Sequence, residues 1–114
     1  MVQDDAAYLQ HIRDAILRIQ EYLEDIEETD FYKNHLVQGG VIRQLEIIGE
    51  ATKRLSLSLR EQYNNIPWTD IAGMRDKLIH NYLGVDLEQV WLTAKDDIPN
   101  LKTAVNEILK TRDF

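Results

Sequence analysis

The stretch "YLQHIRDAILRIQEYLEDI", residues 8–26, decides the fold. Leu9, Ile12, Ile16, Ile19, Leu23 and Ile26 recur at steps of three and four, which lays one apolar stripe along a helix. Arg13, Asp14, Arg18, Glu21, Glu24 and Asp25 fill the other faces. The expected helix covers residues from about 4 to 28. The pattern stops at "EETDF", residues 27–31, where Thr29 or Asp30 is the expected N-cap of the next helix.

Outward from that stretch the same period returns. A second helix is expected from about 31 to 62, its stripe made of Val37, Val41, Leu45, Ile48, Thr52, Leu55 and Leu59. Gly39 and Gly40 sit inside it and weaken it by ~1 kcal/mol each relative to alanine, so they mark a kink or a close helix crossing. Gly49, in "EIIGEA", leaves room for a neighbouring backbone. "YNNIPW", residues 63–68, reads as a loop with Pro67 in a first-turn position. A third helix is expected from about 67 to 82, with Trp68, Ile71, Ala72, Leu78 and Ile79 apolar and Gly84 as its stop. Asp86 opens a fourth, with Gln89 as capping-box partner and an apolar face from Leu87 to Leu109. Pro99 lies inside it and is expected to kink or break it near Lys95–Ile98. No strand pattern competes. The expected architecture is all-α: an antiparallel four-to-five-helix bundle, one domain over residues 1–114.

Composition narrows the class. Hydrophobic residues make up 44% of 114, enough for a core and too many for a disordered chain. The absence of cysteine rules out disulfides and thiolate zinc sites and fits a reducing compartment. "MVQDDAAYLQ" carries two acids and no basic region before an apolar run, unlike a signal peptide. No apolar run approaches the ~20 residues that span a bilayer. The expectation is a cytoplasmic protein with no membrane partner. The formal net charge of −7 argues against broad nucleic-acid affinity, which rests on Lys and Arg. Net charge is an average, however, and a small site needs only a local positive spot. Lys53, Arg54, Arg60 and Lys77 are the candidate walls of such a spot.

"MRDKLIHNYLG", residues 74–84, concentrates the polar chemistry. Asp76 and His80 are i and i+4 and share a helix face, so the carboxylate can set the imidazole tautomer. Arg75 and Tyr82, seven apart, return to nearly one stripe. Arg75 and His80, five apart, are offset by roughly 140° and do not share a face in one straight helix. For both to meet one substrate, Arg75 must reach around or a second copy must supply the partner group, which points to a two-fold interface. An arginine forks onto a phosphate and stabilises transition-state charge, and a histidine moves a proton near neutral pH. Together they suit phosphodiester cleavage without a metal, the neighbouring ribose 2′-hydroxyl serving as nucleophile. No two histidines stand at i, i+3 or i, i+4, so neither a metal nor another cofactor is expected. Geometry leaves a second reading open. His80 can be a helix-end residue, Tyr82 a core aromatic, and Arg75 the partner of an acid on a neighbouring helix. Glu46 and Glu50 share a face at i, i+4; surface exposure accounts for them, and Arg75 is one basic partner they could take.

The words themselves carry a resemblance. "RDKLIHNY" has the pattern Arg, four residues, His, one residue, Tyr. With "VIRQLEIIGEATKRLS" and "IPWTDIAGMRDKLIHNYLGVDLEQVW", it resembles the HepT toxins of the HEPN superfamily along nearly the whole chain. The resemblance implies a HEPN-like helical domain that dimerises. It implies a metal-independent endoribonuclease acting on tRNA or mRNA, with Arg75 and His80 as the catalytic pair of a composite dimer site. Asp76 stands where the superfamily carries a polar residue, often Asn, and it partly offsets the charge of Arg75. Tyr82 matches the tyrosine that the cognate nucleotidyltransferase antitoxin, MntA, modifies with AMP. The implied system is a type VII toxin–antitoxin pair, a homodimer with room for a larger hetero-oligomer. The alternative is a non-catalytic helical dimer that serves as the partner or nucleotide-binding subunit of a nucleotidyltransferase.

Overall fold

The computed structural model describes residues 4–78 and 84–111. His80 and Tyr82 lie outside the described residues. Helix α1, Asp5–Tyr22, begins where the Asp4 side chain accepts from the Ala7 N–H at 3.0 Å. It ends earlier than the hydrophobic period suggests, and Asp25 turns the chain with φ of 60°. A one-turn helix, α2 (Glu28–Phe31), follows, and then α3, His35–Lys53. The N-cap of α3 is Asn34, whose side chain accepts from the Val37 N–H at 3.1 Å. Thr29 and Asp30 are therefore not caps but interior residues of α2, the turn that carries Phe31 into the core. In the same turn Tyr32 donates to Glu28 Oε1 at 3.2 Å. Desolvation, and then the charge of Glu28, push its phenol above the ordinary tyrosine range. The α3 helix runs through Gly39 and Gly40 without a break. Gly40 serves a close crossing: a Cβ there would stand 3.0 Å from the Tyr22 ring.

The expected second helix is cut near its end. Helix α3 stops at Lys53, and α4, Leu57–Gln62, starts afresh with Ser56 as N-cap. A long-range contact makes the break. Asp5 is buried, and its two carboxylate oxygens accept from the Ser56 N–H at 2.8 Å and the Ser56 hydroxyl at 2.6 Å. The same hydroxyl accepts from the Leu59 N–H at 3.1 Å. Arg60 Nη2 donates to the Leu55 carbonyl at 3.1 Å and so covers the carbonyl end left by the break. Asp5→Asn replaces one acceptor by a donor facing a donor. It is expected to cost about 1–3 kcal/mol, read as a lower urea midpoint with an unchanged slope.

The third helix also divides. Helix α5 is Trp68–Ala72 and α6 is Met74–Leu78, with Gly73 between them. Pro67 is the N-cap position of α5, and the Trp68 indole donates to the Tyr63 carbonyl at 3.0 Å. Helix α7, Leu87–Leu92, opens as expected on Asp86, which accepts from the Gln89 N–H at 3.1 Å. Pro99 does not break the helical run beyond α7. A π-helical turn, Thr93–Asp97, leads into α8, Ile98–Thr111, and the Ile98 N–H reaches back to the Thr93 carbonyl. The wider turn is where the chain accommodates a proline that has no N–H and crowds the preceding carbonyl.

The terminal contacts give the directions. Asp5 at the start of α1 meets Ser56 just past the end of α3, and Tyr22 at the end of α1 meets Gly40 near the start of α3. These two helices are antiparallel. Lys102, early in α8, donates to Gln20, late in α1, at 3.0 Å, so α8 is antiparallel to α1 as well. The core between them holds Leu9, Ile12, Ile16 and Ile19 of α1, Val41, Leu45 and Ile48 of α3, and Ile98, Val105 and Ile108 of α8. The expected all-α bundle is what forms. No β-strand occurs among the described residues, and none of their helices is long and apolar enough to cross a membrane.

Candidate active site

Helix α6 lies against α3 because of one glycine. A Cβ on Gly49 would stand 3.3 Å from the Ala72 carbonyl oxygen and 3.5 Å from that of Ile71, so the bare glycine lets the end of α5 rest on α3. Glu46 is one helical turn before Gly49, on the same face. Arg75 is three residues past Ala72. The two helices run oppositely there, and Glu46 Oε2 comes to 3.6 Å from Arg75 Nε. Asp76 Oδ1 stands 3.7 Å from Arg75 Nη1. Both contacts are ion pairs longer than a hydrogen bond, so neither carboxylate uses up an N–H of the guanidinium. The Arg75 side chain keeps 52% of its surface exposed, while Glu46 keeps 29%. Arg75 is thus steered by charge and still open to a ligand.

A guanidinium presented in this way has the geometry to fork onto a phosphate. Among the described residues, no group of three or more His, Asp or Glu side chains is arranged to hold a metal ion. The comparisons with known proteins agree with a phosphodiester chemistry. Residues 12–108 match the family described as "Ribonuclease HepT-like". The chain belongs to the HepT-like ribonuclease family. It is 47% identical over 99% of its length to a protein of Methanocaldococcus jannaschii named "Gamma-glutamylcyclotransferase and putative RNase". The chain spans about half of that relative, 51%. It is 45% identical over 90% of its length to a Thermococcus cleftensis protein named "Probable ribonuclease HepT", of which it covers 94%. No solved structure matches the chain.

For this HepT-like chain, the structure places Arg75 and Asp76 side by side on α6. It shows that, of the two α3 acids, Glu46 is the one that reaches Arg75, while Glu50 pairs with Lys53 at 3.4 Å. Two of the four residues of the expected basic funnel are paired with acids, and a third, Arg60, keeps its charge while donating to backbone carbonyls. Lys53 is held by Glu50, Lys77 by Asp70 at 3.3 Å, and Arg60 by backbone carbonyls. Surface pairs of this kind are worth ~0–1 kcal/mol and yield readily to a polyanion. The opposite side of α6 borders a cleft of about 600 Å³ lined by Ile66, Ile71, Met74, Lys77 and Leu78 and, across from them, Leu101. Glu46 is the residue whose importance the sequence signals least. Its spacing from Glu50 is visible, but its reach to Arg75 depends on the packing at Gly49.

Proposed function

We propose that this protein is the toxin of a toxin–antitoxin pair, a metal-independent endoribonuclease that cuts RNA as a homodimer. The carrying observation is the half-exposed Arg75 guanidinium, steered by Glu46 and Asp76 at 3.6 and 3.7 Å with its hydrogen-bond donors unspent on either. Arg75 binds the scissile phosphate and stabilises the charge that accumulates on its oxygens. His80 transfers the protons. One imidazole takes the proton of the ribose 2′-hydroxyl as that oxygen bonds to phosphorus. A protonated imidazole from the second copy gives a proton to the departing 5′-oxygen. The products are a 2′,3′-cyclic phosphate and a free 5′-hydroxyl. The two-fold arrangement supplies both histidines and resolves the angular mismatch between Arg75 and His80 on one helix. Tyr82 is the off-switch: AMP on its hydroxyl adds a phosphate that competes with RNA for the Arg75 guanidinium. The enzyme making that change is a cognate MntA-like nucleotidyltransferase.

The test uses unmodified protein of confirmed intact mass, incubated with total RNA in excess EDTA beside a His80→Ala control of the same dimeric state. Cleavage by the native chain alone supports the reading. Cleavage that requires added divalent metal, or that survives in His80→Ala, counts against it. A second reading is favoured by the net charge of −7 and the local pairing of Lys53 and Lys77 with acids. In it the dimer is a non-catalytic subunit of the nucleotidyltransferase. No cleavage by properly dimeric native protein, together with tight binding to the nucleotidyltransferase, selects that reading.

A further inference from the structure

We infer that Glu46 is a positioning residue for the Arg75 guanidinium, one that sets its direction without touching substrate. The inference rests on the ribonuclease reading for its kinetic consequence, though not for its structural one.

The geometry separates two roles a carboxylate can play beside an arginine. A carboxylate that closes a bidentate, hydrogen-bonded pair occupies the guanidinium and competes with any phosphate. One that stands off at ion-pair distance orients the fork without consuming its donors. Glu46 is of the second kind, at 3.6 Å from Nε, the inner nitrogen of the group. Its attraction draws the Nε side of the guanidinium toward α3, and more than half of the arginine side chain stays exposed. The two partners differ in anchoring. Asp76 is 79% exposed and follows Arg75 on the same helix, so it moves with Arg75 and fixes nothing relative to α3. Glu46 is 29% exposed and belongs to α3, a 19-residue helix. Helix α3 is clamped to α1 by Tyr22 over Gly40 and to the end of α5 by Gly49. The charge that aims Arg75 is therefore carried by the more rigid partner.

This has a kinetic signature opposite in sign to a binding contact. Removing the Glu46 charge makes the surroundings of Arg75 more positive, so RNA binds as well or better. The phosphate then meets a guanidinium that is no longer aimed, and the chemical step suffers. Glu46→Gln is expected to lower kcat about tenfold while KM stays equal or falls. Glu50→Gln is the control. It removes the same charge one turn along the same face, where the partner is Lys53, and it leaves kcat unchanged.

A second measurement does not depend on cleavage. In 15N-labelled protein, the Arg75 Nε–H resonance, assigned by its loss in Arg75→Lys, is expected to be shifted away from the exposed-arginine position by the Glu46 carboxylate 3.6 Å from Nε. In Glu46→Gln it collapses toward the exposed-arginine position, and in Glu50→Gln it does not. A retained kcat and an unmoved Nε–H in Glu46→Gln overturn the positioning role and leave the ribonuclease reading standing. A loss of kcat in Glu50→Gln equal to that in Glu46→Gln also overturns it, since the effect is then general charge. If the wild type cuts no RNA but the Nε–H moves only in Glu46→Gln, the ribonuclease reading falls and the positioning of Arg75 stands.

Discussion

Arg75→Ala is expected to lower kcat/KM for RNA cleavage about 10²–10³-fold, the usual cost of removing one preorganised donor to transition-state charge. The side chain is 52% exposed and its pairs with Glu46 and Asp76 are long, so the fold loses little with it. The thermal midpoint should stay within a few degrees of the wild type. Arg75→Lys discriminates further. Lysine keeps the charge but is a point donor without the planar fork, so it is expected to restore RNA binding more than kcat. Both variants are checked by single-turnover cleavage of a defined RNA, with dimer formation followed by light scattering. Retention of full activity by Arg75→Ala would remove this residue from the site.

Phe31→Ala is expected to cost about 3–5 kcal/mol of stability, a large share of the ~5–15 kcal/mol available to a domain of this size. Phe31 is fully buried, and its ring packs on Trp91 with centroids 5.4 Å apart at 42°. It lies on α2, a single turn without a side-chain cap, which is tied to α3 by the Gln38 amide donating to the Phe31 carbonyl at 2.9 Å. The loss therefore combines a cavity with the detachment of α2 from α7. Urea unfolding measures it, and a midpoint unchanged from wild type would contradict the packing described. Any folded fraction is expected to cleave at the normal rate per molecule.

The helical content and most of the core were written in local pattern. Leu9, Ile12, Ile16 and Ile19 are all buried where the period of three and four places them. Asp86 caps α7 as a short-range rule requires, because a cap needs only its own next three residues. The breaks were not legible in the same way. The stripe through Leu55 and Leu59 stays in phase across Arg54–Ser56, so the hydrophobic period does not announce the break, although Ser56 is a local cap for α4. Asp5, 51 residues away, ends it by taking the Ser56 N–H and hydroxyl. Pro99 announces a disturbance, but only the packed chain shows the disturbance absorbed as a π turn rather than a break.

The candidate site divides along the same line. The order of Arg75, Asp76, His80 and Tyr82 along one segment is a property of the sequence, and with it the argument for phosphate chemistry, the resemblance to the HepT family and the angular argument for a second copy. Which acid answers Arg75 is not. Glu46 and Glu50 are equally placed by spacing, and both are 25 or more residues from Arg75 in the chain. Helical periodicity orders neighbours within a turn or two, whereas a contact between helices depends on how closely their backbones approach. Here the missing side chain of Gly49 sets that approach, and the tertiary structure chose Glu46.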